Sequence, residues 1–466
     1  MFNFNLNLDL REGKIKKIHF LGIGGISMSG IALLLKSKGF DITGSDTKMS
    51  ENIEHLIENG IDIYIGQKKE NITNQDLFVY TDAIPENSEE LIAARATQKP
   101  VVSRGVFLGA LMRNYKQSIA ISGSHGKSTT TSMMAKILID SHNDASILLG
   151  GLLDDMKGNV KVGTSEILLT EACEFKGNIL NYYPSTVVIL NIDEDHLDYY
   201  KDLNHIVETF IGYIKNLDKY SKSIINYDDV NTHRLFEHVK GELITFSLYD
   251  ENATYFVSDI EYDENSHPSF NLHMKDGKIE NFYLQIIGKF NIINAVAAII
   301  ASYENGIKIE TIRESLKTYK TLHRRMETVG RKNDALVITD YAHHPFEIKS
   351  TLSALKHSYN KNIIAVFEPH QYSRTKLLLD DFSKSFFDAD KTIVADIYAA
   401  RDPYDDTIHS RDLVKKINQN GGNAKYISDF ESIVEHLNKH LTENDIVITL
   451  GAGNADKLAK MIVNNK

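Results

Sequence analysis

Residues 118–128 read SIAISGSHGKS, and this stretch decides the fold of the middle of the chain. Its first five residues are mostly apolar, as in a buried strand, and apolar residues then recur at helical spacing over Met133–Leu138. A glycine-containing turn between a strand and a helix is the setting of a phosphate-binding loop. The full pattern has a glycine where Ile121 stands, so the loop is a shortened variant.

The loop residues themselves predict the use of ATP. Backbone N–H groups of such a loop hold phosphates, Lys127 reaches the β and γ oxygens, and the Ser128 hydroxyl can bind Mg²⁺. The alternative is a glycine-rich connector with a surface lysine, which the Gly126-Lys127-Ser128 run at a strand–helix junction disfavours. The six loop residues are Gly123, Ser124, His125, Gly126, Lys127 and Ser128.

Acidic residues follow two later strands of this segment. Glu171 and Glu174 follow the strand predicted at 167–170, and an Asp-Glu-Asp-His run at 193–196 follows the strand predicted at 186–191. Ligands of open α/β sheets lie beyond the carboxyl ends of strands, and Mg²⁺ prefers oxygen ligands. The alternative, that these acids cap the following helices, stays open and is weakest for Glu171.

The one cysteine of the chain, Cys173, lies between these two glutamates. No base stands at a spacing typical of nucleophilic catalysis, so we interpret it as a small buried residue. A single cysteine cannot form a disulfide within the chain and fits a reducing cytoplasm.

A second glycine turn, Gly22–Ser27, follows the strand predicted at 18–21 and opens the helix predicted at 28–37. Glycines at such a turn let the backbone approach a phosphate, and Asp46 ends the next strand where a ribose-binding acid would lie. The turn predicts a diphosphate ligand without specifying NAD. A tight turn with no ligand and a nicotinamide oxidoreductase remain alternatives, and the phosphate loop has no place in the second.

The last third of the chain places polar residues after successive predicted strands. These runs are Asp340–Pro345, Phe367–Thr375, Asp396–Pro403 and Gly451–Asn454. Together they predict a lined cleft. His343 and His344 could suggest zinc, but neighbouring side chains diverge at a strand end and no zinc-protease spacing accompanies them. Arg324 and Arg325 could hold a phosphate or form a solvated basic patch.

Length and composition set the overall class. The 466 residues predict about three domains, and 42% hydrophobic with 25% charged residues permits sizeable cores. The net charge of -11 argues against a nucleic-acid partner, and no apolar run is long enough for a membrane span. We predict an α/β fold with a largely parallel sheet in each domain: Rossmann-like at 1–114, P-loop at 115–321 and Rossmann-like at 322–466. The stretch 253–287 alternates more and predicts a small antiparallel piece.

These motifs, in this order, resemble the Mur ligase family over nearly the whole chain. The resemblance implies bacterial wall synthesis in the cytoplasm and assigns the first domain to a UDP-sugar, which its glycine turn would bind at the diphosphate. The residues implied in UDP-sugar binding are Gly24, Gly25, Ser27, Asp46, Thr81, Ala83 and Ile84.

The resemblance also implies ATP and Mg²⁺ as cofactors. It adds Thr129, Asn291, Asn294, Arg325 and Asp340 to the loop as ATP-binding residues. It implies that Mg²⁺ lies on Ser128, Glu171 and His196, and that the amino acid lies on Tyr341, His343 and Arg374. The residues implied in catalysis are Lys127, Glu171, His196, His343 and Arg374.

Asp340–Pro345 and Pro369–Thr375 are similar to the branch of the family that adds L-alanine to UDP-N-acetylmuramate. Three positions depart from the commonest pattern. Cys173 interrupts a run that is usually more acidic, Phe290 stands where histidine is usual, and Gln371 stands where many relatives carry arginine. Because Gln371 replaces that arginine, recognition of the amino-acid carboxylate is expected to depend more on Arg374.

The implied reaction converts a carboxylate to an acyl phosphate with ATP, after which an amine displaces phosphate. His343 or His125 could remove the amine proton, because histidine titrates near neutral pH. A ligase that adds a preformed peptide, a folylpolyglutamate-type ligase and a silent sugar-nucleotide sensor remain alternatives. The sequence leaves the oligomeric state open between a monomer and a homo-oligomer.

Overall fold

The computed structural model describes residues 15–197, 199–400 and 402–464, so the start of the predicted first domain lies outside the described residues. The chain forms two compact units. The first unit contains the residues up to Ser258, Asn271–Glu280 and Ile293–Leu316. The second unit contains Asp259–Phe270, Asn281–Ile292 and the residues from Lys317 onward. The predicted class, α/β with three largely parallel sheets, is confirmed.

The first sheet has five strands, all parallel. They are β1 Lys17–Leu21, β2 Asp41–Asp46, β3 Asp62–Ile65, β4 Leu77–Tyr80 and β5 Val101–Ser103. Their order is β3-β2-β1-β4-β5. Parallel neighbours need crossover connections, which the helices α1 Ile26–Ser37, α2 Glu51–Glu58, α3 Glu89–Ala96 and α4 Arg104–Arg113 contribute. The strand order reverses beside β1, so the turn after β1 opens at the switch point where such sheets bind ligands.

The second sheet is built around the strand that precedes the phosphate loop. Its strands are β6 Gln117–Ser122, β7 Ser146–Leu153, β8 Gly158–Lys161, β9 Ile167–Ala172, β10 Thr186–Ile189, β11 Lys222–Asn226, β12 Glu242–Ser247, β13 Tyr255–Tyr262, β14 Pro268–His273 and β15 Ile279–Tyr283. Their order is β15-β14-β13-β12-β11-β10-β6-β9-β7-β8. Its helices are α5 Lys127–Asp140, α6 Leu203–Asn216, α7 Lys289–Glu304 and α8 Ile309–Lys317. Since β6 is flanked by β9 and β10 in parallel, the loops after all three open on one edge.

The predicted antiparallel piece is the run β13–β15. Short turns join these strands, closed by the hydrogen bonds from Asp263 N to His267 O (3.1 Å) and from Met274 N to Lys278 O (2.8 Å). Neighbouring strands joined by turns this short must run in opposite directions. Each of the three strands is divided between the two units.

The third sheet lies in the second unit. Its strands are β16 Glu327–Lys332, β17 Ala335–Asp340, β18 Asn362–Phe367, β19 Lys391–Val394, β20 Ala424–Tyr426 and β21 Asp445–Leu450. Their order is β16-β17-β21-β18-β19-β20, and only β16 pairs antiparallel. Its helices are α9 Pro345–Ser358, α10 Tyr372–Leu377, α11 Leu379–Ser383, α12 Ser410–Gln419, α13 Phe430–His440 and α14 Ala455–Asn464. Buried apolar residues cover both faces of this sheet.

Helix α4 packs closely against the segment that follows β9. A Cβ on Gly105 would lie 1.9 Å from Asn178 Oδ1, and one on Gly109 would lie 1.9 Å from the backbone oxygen of Asn181. Apolar residues of the same helix and of this segment, including Phe107 and Ile179, belong to one core. The two glycines therefore let the first sheet's last helix contact the backbone of the central segment.

Within the described part of the chain, every helix is too short or too polar to cross a lipid bilayer.

Gly109→Ala tests the close contact of α4. Alanine in a helix interior ordinarily stabilises by about 1 kcal/mol over glycine. Here its methyl group would overlap backbone atoms, and we expect a destabilisation of about 2–3 kcal/mol. The measurement is the melting temperature of the first unit by scanning calorimetry, expected to fall by roughly 5 °C.

Gly39→Ala is the control, because Gly39 has a positive φ (88°) but no atom within 4 Å of the added Cβ, so it carries backbone strain without a steric overlap. This substitution should lower the free energy of unfolding by only about 1 kcal/mol, which is the cost of the backbone strain. A higher melting temperature for Gly109→Ala than for the wild type would contradict the described packing.

Candidate active site

The phosphate loop joins β6 to α5 in the conformation that glycine allows. Gly123 and Gly126 have φ values of 133° and 86°. A Cβ on Gly126 would lie 2.4 Å from Asn294 Oδ1, so this position has neither the backbone angle nor the space for a side chain. Helix α5 begins directly at Lys127 and contributes the positive end of its dipole to the loop.

The Lys127 ammonium folds onto its own loop and onto an acid. Its Nζ donates to the carbonyls of Gly123 (2.5 Å) and Ser124 (3.0 Å), and it lies 3.2 and 3.1 Å from the two carboxylate oxygens of Glu174. Burial is the largest single influence and favours the neutral amine, but Glu174, Cys173 and Asp195 together outweigh it and raise the pKa of Lys127 above its ordinary value. The loop therefore holds a fixed positive charge.

Residues after β10 fix the outer side of the loop. Asn191 accepts a hydrogen bond from the backbone of His125 (2.8 Å) and donates one to its carbonyl (3.1 Å). The Ser124 hydroxyl bonds the backbone of Asp193 in both directions, and His125 Nε2 lies 3.3 Å from Asp193 Oδ2. These bonds hold the loop open toward the edge of the sheet.

Glu171 meets Ser128 at the inner side of the loop. The Ser128 hydroxyl donates to Glu171 Oε2 at 3.0 Å, and the backbone N–H of Gly150 donates to Oε1 at 2.7 Å. A Cβ on Gly150 would lie 2.9 Å from both carboxylate oxygens. Two hard oxygen donors thus converge beside the phosphate loop, as a divalent cation requires.

A second acidic group lies next to the first. Ligand atoms of Glu174, Asp195 and His196 all lie within 4.8 Å of one another, and the described residues contain no other such group of three or more. His196 has a left-handed φ of 54°, a strained conformation for this residue, and its ring lies 4.9 Å from that of Phe175. The structure therefore groups His196 with Glu174 and Asp195, while Glu171 pairs with Ser128.

Cys173 lies between these acids with a neutral thiol. Burial, followed by the charge of Glu174, raises the pKa of the Cys173 thiol to about 11, and Lys127 opposes only part of that rise. The thiol is therefore protonated at neutral pH and is a poor nucleophile.

The glycine turn after β1 is held by β2. The N–H groups of Gly22 and Ile23 donate to the carbonyl of Ser45 at 2.8 and 2.9 Å, and Gly24 N–H donates to Asp46 Oδ2 at 2.9 Å. Asp46 thus bonds the turn itself in this structure. Gly25, which follows, is exposed.

The loop after β4 packs against the same turn. A Cβ on Gly22 would lie 2.5 Å from Thr81 and 3.4 Å from Ile84, and the N–H of Ile84 donates to the carbonyl of Thr81 at 3.0 Å. Ala83 is exposed beside them, and Ser27 opens α1. The predicted UDP-sugar residues therefore converge on one end of the first sheet.

In the second unit, Asp340 ends β17 with its carboxylate buried. Its oxygens accept hydrogen bonds from the N–H groups of Met326 and Ala342, both at 2.7 Å. Burial raises the pKa of Asp340 to about 6, although Arg325 and these two bonds lower it. The guanidinium of Arg325 lies 5.1 Å from the centre of the Tyr341 ring.

Arg324 has a different role from its neighbour. Its Nη2 donates to the carbonyls of Gly451 (2.9 Å) and Gly453 (3.0 Å), so it ties the turn after β21 to the start of β16. The sequence left two roles open for Arg324, binding a phosphate and forming a solvated basic patch. In the structure Arg324 instead makes this contact with backbone carbonyls.

Aromatic and basic side chains gather beside Asp340. The ring of His343 lies 5.2 Å from that of Tyr341 and 6.0 Å from that of His370. Arg374 Nη1 donates to His370 Nδ1 at 3.2 Å, and the His370 ring stacks on Tyr398 at 5.7 Å. The structure therefore brings together all three predicted amino-acid-binding residues.

The start of α10 is held by a residue that the sequence did not single out. Asp402 accepts hydrogen bonds from the backbone and hydroxyl of Ser373 (2.9 and 2.6 Å) and from Gln371 (3.3 Å). Gln371 has a left-handed φ of 71°. Asp402 therefore positions the helix that carries Arg374.

The remaining predicted ATP residues lie on two helices. Thr129 is partly buried in the first turn of α5. Asn294, on α7, accepts a hydrogen bond from Thr130 (3.3 Å) in the first unit. Asn291, on the same helix, belongs to the second unit and donates to the carbonyl of Ile287 (2.8 Å).

The predictions from sequence missed or left undecided four residues of the site. Glu174 is the partner of Lys127, Asp195 joins the acidic group, Asn191 holds the loop, and Gly150 makes room for Glu171. Asn191 is the last residue of the strand predicted at 186–191, and a polar side chain at a strand end is a signal that could have found it. Gly150 contacts Glu171, which lies on another strand, so no local sequence pattern indicates its role.

Three family models match the chain in order. The model described as "Mur ligase family, catalytic domain" matches residues 17–116, "Mur ligase middle domain" matches 121–302, and "Mur ligase, glutamate ligase domain" matches 324–453. Together they span most of the chain.

Curated relatives match over almost the full length. A UDP-N-acetylmuramate–L-alanine ligase of Acetivibrio thermocellus is 43% identical, with 98% of this chain and 97% of the relative covered. The enzyme of the same name from Clostridium acetobutylicum is also 43% identical, with 98% and 100% covered.

Solved structures show the same architecture. The UDP-N-acetylmuramate–alanine ligase of Thermotoga maritima has a TM-score of 0.80 at 25% identity, covering 96% of this chain and 98% of that one. A murein peptide ligase of Psychrobacter arcticus has a TM-score of 0.72 at 24% identity, covering 97% and 99%, and this likeness shows the fold alone.

The raised pKa of Cys173 predicts slow thiol chemistry. Because the chain has one cysteine, a thiol reagent such as Ellman's reports this residue alone. At pH 8 we expect native protein to react about 100-fold more slowly than chain unfolded in guanidinium, and the native rate to rise up to about pH 11. Equal rates at pH 8 would contradict the described burial.

Proposed function

This chain belongs to the Mur ligase family, and from that premise we propose that it joins L-alanine to the lactyl carboxylate of UDP-N-acetylmuramate with hydrolysis of ATP to ADP and phosphate. The observation that carries the proposal is the phosphate loop, in which the charged Lys127 contacts Glu174 and the neighbouring Ser128 contacts Glu171. The full-length relatives supply the identity of both substrates. The single cysteine and the need for ATP favour work in the reducing cytoplasm.

The chemical obstacle is that a carboxylate must approach an anionic triphosphate. Lys127 is fixed by three acceptors within the loop region and can donate to the β and γ phosphates once nucleotide enters. Positioning and charge stabilisation of this kind supply most of the catalysis of phosphoryl transfer. A carboxylate oxygen attacks the γ-phosphorus, the bond to ADP breaks, and an acyl phosphate results.

The residues beside the loop fit Mg²⁺. The Ser128 hydroxyl lies 3.0 Å from Glu171 Oε2, and His196 forms a second group of possible ligands with Glu174 and Asp195. These donors are hard oxygens with one imidazole, a set that suits a hard divalent cation. Bound there, Mg²⁺ would offset the negative charge of the phosphates.

The amine of L-alanine must reach the acyl carbon uncharged. Its nitrogen forms the amide bond as the acyl carbon–oxygen bond breaks and phosphate leaves. His343 is a candidate for taking the amine proton, because Glu347 Oε2 lies 3.3 Å from its Nδ1 and would stabilise the imidazolium. His125, beside Asp193, is the other candidate.

The second unit supplies the groups for the amino acid and the ribose. Arg374 would bind the alanine carboxylate with its guanidinium fork, and His370 and Tyr341 would line the pocket. Buried Asp340 is suited to accept ribose hydroxyls, and Arg325 to contact phosphate. In the first unit, the glycine turn would bind the UDP diphosphate through backbone N–H groups and the start of α1.

Phosphate release tests the proposed function directly. The assay contains ATP, Mg²⁺ and UDP-N-acetylmuramate, adds each common L-amino acid separately, and omits each substrate in turn. We expect release only when UDP-N-acetylmuramate and L-alanine are both present. Lys127→Met, which removes the charge at similar length, should lower the rate by about 100-fold or more.

Release only with a preformed peptide, or none from folded protein that still binds ATP, would contradict the proposal. The first result would indicate a peptide-adding ligase and the second a protein that binds its ligands without catalysis.

A further inference from the structure

Arg104 is the first residue of α4 and stands where the first sheet meets the central segment. Ser103 caps the helix by accepting a hydrogen bond from Val106 N–H, which fixes the direction in which α4 starts. The Arg104 Nη1 atom lies 3.5 Å from the hydroxyl of Ser27, the last residue of the glycine turn. The guanidinium is therefore at the end of the first sheet where the predicted UDP-sugar residues converge.

The charge of Arg104 has no counter-ion among the described residues. The side chain is only partly exposed, and its long contact with Ser27 is to a neutral hydroxyl. Asp82, a carboxylate whose charge acts on Arg104, accepts a hydrogen bond from Asn178 Nδ2 at 3.1 Å. Partly buried guanidinium groups are ordinarily paired with carboxylates or phosphates, so this one lacks an anion.

A second polar group lies beside Arg104. Tyr182 is fully buried, and its hydroxyl lies against the Arg104 guanidinium without a hydrogen bond to any other described residue. Burial raises the pKa of Tyr182, and the positive charge of Arg104 opposes part of that rise, which places the two groups side by side. A guanidinium and a phenol together can both donate to one oxyanion.

The backbone around Arg104 cannot shift to find a partner. Gly105, the next residue, leaves no space for even a Cβ against Asn178, and Gly109 packs against the backbone at Asn181. The backbone that carries Arg104 is therefore fixed before any ligand binds, which lowers the cost of binding one.

We propose that Arg104 binds an oxyanion of the UDP-sugar substrate. The proposal rests on the proposed function for the identity of that substrate. Two oxyanions are available, the lactyl carboxylate and the diphosphate. Ser27, at the start of α1, lies on the diphosphate side, and Cys173, an electrostatic neighbour of Arg104, lies in the run after β9 that also carries Glu174. Arg104 faces both.

The test compares three ligands by calorimetric titration without ATP: UDP, UDP-N-acetylglucosamine and UDP-N-acetylmuramate. Only the last carries the lactyl carboxylate. The variants are Arg104→Lys, which keeps the charge and loses the planar fork, and Arg104→Met, which loses both. The matched control is Arg113→Lys at the other end of α4, whose guanidinium lies 3.6 Å from the centre of the Tyr183 ring. Melting curves and ATP affinity, expected unchanged, establish that each variant is folded.

We expect Arg104→Met to weaken UDP-N-acetylmuramate binding by about 10- to 100-fold, Arg104→Lys by less, and Arg113→Lys not at all. A loss confined to UDP-N-acetylmuramate identifies the carboxylate as the bound oxyanion, and an equal loss for all three ligands identifies the diphosphate.

Unchanged affinity of both Arg104 variants for every ligand that the wild type binds would overturn the assignment and leave the proposed function standing. Wild-type protein that binds none of the three UDP compounds would overturn the proposed function and this assignment with it.

Discussion

The buried ion pair between Lys127 and Glu174 is the interaction on which the rest of the site depends. An ammonium removed from water is tolerated only with close anionic or carbonyl partners, and removing one partner of such a pair costs about 3–5 kcal/mol. Here the partners come from the loop and from the residues after β9, so the pair joins two neighbouring strand ends. The same pair keeps a positive charge at the loop for the phosphates.

The packing around this pair extends into the sugar-binding end of the first sheet. Glu174 is followed by Lys176 and Gly177, both in the left-handed region, and then by Asn178, which bonds Asp82. Helix α4 contacts this segment through two glycines. The positions of the proposed UDP-sugar residues and of the acids beside the phosphate loop are therefore set by one continuous set of contacts within the first unit.

Much of this organisation could be predicted from the sequence, because the signals are local. The strand–loop–helix at 118–128, the glycine turn at 22–27 and the polar runs after strands of the last third all lie where the structure places them at sheet edges. Glu174 could not be singled out, because Glu171, Cys173 and Glu174 lie close together around the end of β9 and only the fold shows which of them contacts Lys127. Asp402 meets Ser373 across 29 residues, a contact that no local pattern encodes.

The most direct test of activation through an acyl phosphate follows the lactyl carboxylate oxygen atoms of UDP-N-acetylmuramate into the products. UDP-N-acetylmuramate labelled with ¹⁸O in both lactyl carboxylate oxygens is incubated with ATP, Mg²⁺ and L-alanine, and the products are analysed by mass spectrometry. If Lys127 directs the γ-phosphoryl group onto that carboxylate, each phosphate released carries one ¹⁸O atom and the new amide keeps the other. Phosphate without label, or label found in AMP, would contradict activation through an acyl phosphate.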